Sequence, residues 1–470
     1  MKKPAGIHAF FGFAAGLLLM TPHFFPALAP LQAAALLPVL YVAASPAFRR
    51  RRVAAAGLFM GLAYTLPQVT ALRLPVAISL LLVAYLGAIL VLFAWLSSYL
   101  LRGPAVAGAI AVGTLFALLD WINFTLVPIW GTAQSFARPW SYYPGLISFV
   151  SVTGITGILF ALGSMQGFLI NIYTQRRRRL SLAAGLVGVV LFFGALDLVP
   201  RYSNPVGSLR VAAIGWTHRD SRKLGGVDGH EGFQALFAGP AAEAAARGAR
   251  LVVSPETAFV FDGTISRRDW LERFRALARE HGVFLVIGYF DETQDLNRLF
   301  FMDPDGFVEA EYTKTFLTPF EKYRRGDGST AVVRIPGYAV GGMICQDDNF
   351  TRLSRAYGQA RTSIVAVPTN DWRTVKEAHF QSSIFRAVES RYAVVRAATD
   401  GISAVISPEG RVLAKKDHLF DGPGFVTAEV PLYRVQTVFS RLGHWPAALS
   451  LAFLMIYGAW LIRRSFLSGS

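Results

Sequence analysis

Residues 339–350 read AVGGMICQDDNF. Six small or apolar residues lead to Cys345, the only cysteine in a chain of 470, and Gln346, Asp347 and Asp348 follow. A short apolar run bounded by polar residues reads as a strand buried on both faces, the kind found in sheets covered on both sides. With no partner, Cys345 makes no intramolecular disulfide. An unpaired cysteine ordinarily packs as a small, inert hydrophobe. A reactive role therefore has to rest on its neighbours.

The same signature repeats on either side of it. LRVAAIGW (209–216), RLVVSPE (250–256), VFLVIGYF (283–290) and TSIVAVPTN (362–370) are short apolar runs. GFVEAEYTK (306–314) reads as a further strand, and GISAVISPEGRVL (401–413) as a hairpin turning at Pro408–Gly410. Helical stretches alternate with them: GPAAEAAARGA (239–249), SRRDWLERFRALAREHG (266–282) and HFQSSIFRAVESRY (379–392). In the second, Trp270, Leu271, Phe274, Leu277 and Ala278 share one face, and Gly282 is a C-terminal stop. Strands alternating with helices over residues 206–440 predict one α/β domain.

Beyond that segment the chain is of another kind. Hydrophobic residues make up 53% and charged residues 16% of the whole, and mean hydropathy is +0.41. Average soluble domains carry nearer a quarter charged residues. Eight runs approach the roughly 20 apolar residues that a span requires: about 7–22, 28–47, 53–71, 76–100, 105–127, 146–173, 181–199 and 446–463. This predicts a membrane domain over 1–200 with about seven helices, and a C-terminal transmembrane helix at 446–464. Lys2 and Lys3 before an apolar run resemble a cleaved leader. The rapid passage into a second apolar segment favours a retained first helix instead.

Charge gives the orientation. Residues 1–200 and 446–470 hold 15 Lys/Arg against two acids, Asp120 and Asp197, whereas 201–445 hold 31 against 28. Lys2–Lys3, Arg49–Arg52, Arg102, Arg176–Arg179 and Arg463–Arg464 all fall on one side if all eight spans exist. By the positive-inside rule both termini are then cytoplasmic, and 206–440 lies on the periplasmic or outer side of a bacterial inner membrane. The net charge of +16 is thus mostly membrane-flank charge. No basic cluster on the soluble part suggests nucleic acid as a partner. Asp120, inside the fifth span, is left unassigned between a functional carboxylate, a helix–helix hydrogen bond and a position near the water interface.

Three polar residues end strands of the α/β segment: Glu256, Lys314 and Cys345. Strand ends are where such sheets assemble sites. A carboxylate can take the proton of a thiol, and an ammonium can stabilise the oxyanion formed when the thiolate attacks a carbonyl. The eight histidines show no ligand spacing, and neither a metal nor a cofactor is expected.

The local sequences are more specific. SPETAF (254–259), YTKTFLTPFEKY (312–323), GGMICQDDNF (341–350), and VPTNDW with FRAVESRYAVVRAATDGISAVISPEGRV resemble, in order, the glutamate, lysine, cysteine and closing segments of the nitrilase superfamily. Upstream, VPIWGTAQSFARPWSYYPGLISFVSVTGITGILF is similar to membrane segments of that superfamily's lipoprotein-modifying branch, the apolipoprotein N-acyltransferases. The resemblance covers almost the whole chain. It implies a helical membrane bundle joined to an αββα sandwich. It also implies a ping-pong acyl transfer: Glu256 is the base, Cys345 the nucleophile and Lys314 the oxyanion partner. A membrane phospholipid is the donor and a lipoprotein the acceptor, with the protein acting as a monomer.

The chain departs from that pattern in places. Gln346 stands where the family has an aromatic, leaving Asp347 as the following acid. Glu321 and Lys322 stand where it has Gly-Glu, so Glu321 either supports the site or pairs with Arg324 or Arg325 on the surface. The first strand lacks the family's glutamine. By resemblance Trp372 lines the cleft, or it packs in a loop. His379 is read as solvated or capping. Two other functions stay open: a membrane-tethered amidase or acyl hydrolase with a different acceptor, and a non-catalytic lipoprotein-binding relative.

Overall fold

The computed structural model describes residues 6–125, 130–175, 178–198, 204–263 and 265–467. Two compact units emerge: one comprises 1–128, 134–201 and 444–470, the other 129–133 and 202–443. Lys2, Lys3, Arg176 and Arg177, part of the charge argument, lie outside the described residues, as do the last residues of the expected spans 105–127 and 181–199.

The first unit is helical. Among its described residues, eight segments are long and apolar enough to cross a membrane: Ile7–Phe24, Pro26–Ala44, Arg50–Leu72, Val76–Leu100, Ala105–Thr125, Thr156–Thr174, Arg179–Leu198 and Trp445–Leu467. Small residues let these helices approach closely. A Cβ on Gly61 would come within 2.7 Å of the Gly87 Cα, and one on Gly163 within 2.7 Å of the Gly113 Cα.

Two spans differ from expectation. The second is not one helix: a 3-10 turn Pro26–Leu31 runs into Gln32–Ala35 and then Leu37–Ala44. Pro26, Pro30 and Pro38 lack the N–H groups that a continuous helix uses. Remote side chains satisfy the backbone groups this releases. Gln166 accepts from the Leu36 N–H at 2.6 Å and donates to the Gln32 carbonyl at 3.0 Å. The sixth span begins later than expected, because Gly154 at φ 68° separates the short helix Val150–Thr153 from Thr156–Thr174. Asp120 is fully buried and accepts from Ser135 Oγ (2.6 Å) and the Phe136 N–H (2.9 Å). It therefore pins the loop after its own helix.

The second unit is a sandwich of two sheets. The first has the order β13-β1-β2-β4-β5-β6, with β3 also paired to β4. Its strands are β1 (Gly207–Gly215), β2 (Leu251–Val253), β3 (Phe259–Phe261), β4 (Phe284–Asp291), β5 (Leu296–Met302), β6 (Val308–Thr313) and β13 (Gly424–Leu432). The second runs β12-β11-β10-β9-β8-β7. It is built from β7 (Val332–Ile335), β8 (Tyr338–Gly342), β9 (Ile364–Asn370), β10 (Ala393–Thr399), β11 (Ile402–Ile406) and β12 (Val412–Asp417).

Side-chain alternation explains the layering. Val211, Ala213, Leu251, Val253, Phe284, Val286, Leu299 and Phe301 face the second sheet and join Val340, Ile364 and Val394 in one core. Their sequence neighbours Ala212, Ile214, Val252, Leu285, Ile287 and Phe300 face outward against Trp270, Phe274 and Phe237 of the covering helices. The helix Lys376–Ser390 covers β10 and β11 on the opposite side. The layers are αββα. Helix Arg267–His281 is capped by Ser266, which accepts from the Asp269 N–H, and ends on Gly282 at φ 60°.

Candidate active site

The site forms where strands stop. β2 and β3 both pair with β4, and the chain interrupts itself between them, with Thr257 at φ 46°. Glu256 occupies that interruption and is 3% exposed. Lys314 follows β6 and is fully buried. Cys345 follows β8, opens a 3-10 turn Cys345–Asn349, and adopts φ 47°. A non-glycine residue held there costs on the order of 1–3 kcal/mol and persists only where its surroundings dictate it.

Asp347 dictates much of that turn. Fully buried, it accepts from the Ile344 N–H (3.2 Å), the Phe316 N–H (2.7 Å), the Thr315 N–H (3.1 Å) and Tyr312 Oη (2.8 Å). The carboxylate thus ties the cysteine turn to the residues directly after Lys314. Asp348 points elsewhere, accepting a bond from Ser383 Oγ. Asn349 donates to Gln346 Oε1 at 2.9 Å.

The three strand-end residues meet in one network. Lys314 Nζ donates to Glu256 Oε1 at 2.7 Å, to Glu321 Oε1 at 2.6 Å and, more weakly, to Tyr323 Oη at 3.4 Å. Asn297 also donates to Glu256 Oε1, at 2.7 Å, and to Tyr323 Oη at 2.9 Å. Glu256 Oε2 accepts the Asn370 N–H at 2.7 Å. The Cys345 thiol donates to the carbonyl of the same residue, Asn370, at 3.7 Å. One residue therefore bridges thiol and carboxylate.

Electrostatics follow from this packing. Burial alone would lower the Lys314 pKa, but the Glu256 carboxylate, the nearby sulfur and Glu321 outweigh it and hold it well above the ordinary lysine value. Burial, then the Glu256 carboxylate, push the Cys345 thiol well above its ordinary value, and Lys314 offsets only part of this. The resting site therefore holds a protonated thiol beside a charged lysine.

Glu321 reaches the site despite its displacement in sequence. Its second oxygen accepts the Thr318 N–H at 2.7 Å, so it closes its own loop while holding Lys314. Trp372 stands in an aromatic group, with ring centroids 6.0 Å from Trp130, 6.5 Å from Phe320 and 6.5 Å from the His379 imidazole.

His379 corrects an expectation. It is neither solvated nor a cap: it is 2% exposed, with Nδ1 2.9 Å from Asp371 Oδ1. Asp371 Oδ2 accepts from Arg396 Nη2 at 2.6 Å. The Cys345 sulfur, an Asp371 oxygen and a His379 nitrogen lie within 4.8 Å of one another. This donor set does not suit a divalent cation, since both Asp371 oxygens are committed and Arg396 and Lys314 bring two cations close by.

Sequence reasoning missed Asn297, Tyr323, Asp371, Arg396 and Trp130. Arg396 left a usable signal: a lone charge inside AVVRAAT, which a buried strand tolerates only opposite a carboxylate. Trp130 left none, because its segment lies among apolar runs of the N-terminal half. Within the second unit, Thr132 Oγ1 donates to the Asn349 carbonyl at 3.0 Å. A Cβ on Gly131 would lie 2.3 Å from that same oxygen.

This topology and this set of residues are those of a carbon-nitrogen hydrolase domain, and residues 210–438 match that family. The second unit is thus a divergent nitrilase-superfamily domain, and the first carries helices long and apolar enough to cross a membrane. Among curated proteins the chain is similar to the apolipoprotein N-acyltransferase of Geobacter metallireducens, 26% identical over 96% of this chain and 94% of that one. It is 25% identical to the apolipoprotein N-acyltransferase of Rhodopseudomonas palustris over 66% of this chain, but spans only 65% of that relative. It is also 30% identical to the deaminated glutathione amidase of Rattus norvegicus, over 37% of this chain and 62% of that one. Among solved structures, an amidase from Nesterenkonia sp. is 23% identical, with a TM-score of 0.41, over 47% of this chain and 90% of that one.

Proposed function

We propose that this protein is a membrane N-acyltransferase that moves a fatty acyl chain from a phospholipid to the N-terminal amine of a lipoprotein's diacylglyceryl-cysteine. The observation that carries this reading is a buried thiol on a strained turn, linked through Asn370 to a lysine-paired glutamate. Relatives named apolipoprotein N-acyltransferase, one aligned over 94% of its length, support the choice of reaction. Eight helices apolar enough to cross a membrane suit two lipid substrates.

In the first half-reaction Glu256 takes the thiol proton, and the Cys345 sulfur attacks the donor's ester carbonyl carbon. Negative charge develops on the carbonyl oxygen. Lys314 meets it with the N–H whose resting bond to Tyr323 is the longest of its three. The ester C–O bond breaks, the departing alkoxide takes the proton from Glu256, and a lysophospholipid leaves behind a Cys345 thioester. In the second half-reaction the acceptor amine attacks the thioester carbon and passes a proton to Glu256. The C–S bond then breaks, and Glu256 returns the proton to sulfur. The product is an amide. In this reading the termini are cytoplasmic, the catalytic unit lies on the outer side, and the protein acts as a monomer.

The test is intact-protein mass spectrometry of the detergent-purified chain after incubation with phospholipid, alongside Cys345→Ala. A fatty-acyl mass increase that neutral hydroxylamine removes and the variant lacks is the expected result. Free fatty acid release without an adduct or an amine acceptor indicates the hydrolase instead. Neither adduct nor release from folded protein refutes the transferase and leaves the lipoprotein-binding relative.

A further inference from the structure

The sulfur of Cys345 faces two carboxylates, and the proposed mechanism uses only one of them. Glu256 approaches through Asn370. Asp371 lies on the next residue, with an oxygen inside the same 4.8 Å cluster as the sulfur. A buried carboxylate this close opposes formation of a thiolate. The fold answers it with two partners. Arg396, fully buried in β10, holds Asp371 Oδ2, and His379 from the helix Lys376–Ser390 holds Oδ1.

Arg396 is not free to act for Asp371 alone. Its Nη1 lies 3.4 Å from Ser383 Oγ, which in turn bonds Asp348. Its positive charge is therefore shared between two buried acids. His379 bonds Asp371 directly, whereas Asp348 feels it only at longer range. Among the described residues, the charged groups acting on the sulfur besides Asp371 and Arg396 are Glu256, Lys314 and Glu321, on the side of β2 and β6.

We infer that His379 is a positioning residue that acts through Asp371, holding by its Nδ1 hydrogen bond the carboxylate that faces Cys345 and so keeping the thiol ionisable. The inference rests on Cys345 being the nucleophile. Its readout is thiol ionisation, measured without any acyl donor or acceptor, so it survives or falls separately from the choice of substrate.

The experiment follows alkylation of the full-length, detergent-solubilised protein by iodoacetamide from pH 7 to 10. Cys345 is the only site of cysteine alkylation. His379→Ala leaves Asp371 under-compensated, and alkylation at a fixed pH slows about tenfold, which corresponds to about one unit in the thiol pKa. His379→Asn keeps a donor to Asp371 and recovers part of that loss, while matching melting temperatures show that both variants fold. In an Asp371→Asn background, His379→Ala changes the rate less than twofold, because the charge it answered is gone. A structural role alone would leave the pH profile of alkylation unmoved. An unchanged profile in His379→Ala, or an equal loss in both backgrounds, overturns the inference.

Discussion

Glu321→Gln separates the support of Lys314 from the ionisation of Cys345, because the two respond in opposite directions. Lys314 is fully buried and shared between Glu256 at 2.7 Å and Glu321 at 2.6 Å. At an effective dielectric near 20, a charge pair at that distance interacts by about 6 kcal/mol. The Glu321 side chain is 21% exposed, and glutamine retains a carbonyl acceptor, so roughly half of that is lost. A loss of about 3 kcal/mol in the acylation transition state slows it about 100-fold. The same carboxylate also raises the Cys345 thiol pKa, so its neutralisation does not slow iodoacetamide alkylation. The assay is the time course of acyl-enzyme formation by intact mass, with alkylation measured in parallel on the same preparation. Acylation within threefold of the parent would show that the Lys314–Glu321 contact is incidental. Equal slowing of both reactions would point to a collapsed site rather than a lost charge.

Two further outcomes test the fold around the site. Gly131→Ala places a Cβ 2.3 Å from the Asn349 carbonyl, on a backbone at φ 53°. It should displace the segment that braces the cysteine turn and reduce acyl-enzyme formation at least tenfold; parent-like rates would contradict the bracing role. His418, buried between Ser403 Oγ at 2.8 Å and the Gly422 carbonyl at 2.9 Å, has its pKa pushed down to about 4 by burial. The unfolded chain therefore takes up this proton first, and as pH falls from about 6.5 to 4 the domain loses up to about 3 kcal/mol. His418→Gln should flatten that part of the melting-temperature profile against pH, and an unaltered acid slope would refute it.

Much of the architecture was legible because burial on two faces writes itself into consecutive apolar residues. LRVAAIGW and VFLVIGYF overlap most of β1 and β4, and TSIVAVPTN contains β9. Glu256, Lys314 and Cys345 stood out because each is a polar residue terminating such a run. What stayed hidden depends on contacts between distant parts of the chain. Glu321 looked misplaced by one position, but the loop Thr318–Glu321 turns it back onto Lys314. The break in the second span was partly visible in its prolines. Its satisfaction by Gln166, 130 residues from Leu36, was not. His379 looked ordinary because a histidine on a helix reveals nothing of the carboxylate opposite it, and Asp371 belongs to a different element.

The catalytic unit is discontinuous along the chain, since residues 129–133 belong to it although the 68 residues 134–201 separate them from its main body at 202–443. Trp130 presents its ring to Trp372 and Thr132 holds the end of the cysteine turn. A gene fragment beginning at residue 204 would therefore encode every acid, base and nucleophile of the site yet leave the turn unbraced. Exchange of the hydrolase-like module between relatives has to carry this short upstream segment with it. Inheritance of the module is thereby tied to a stretch of gene that its own sequence signature, 210–438, does not include.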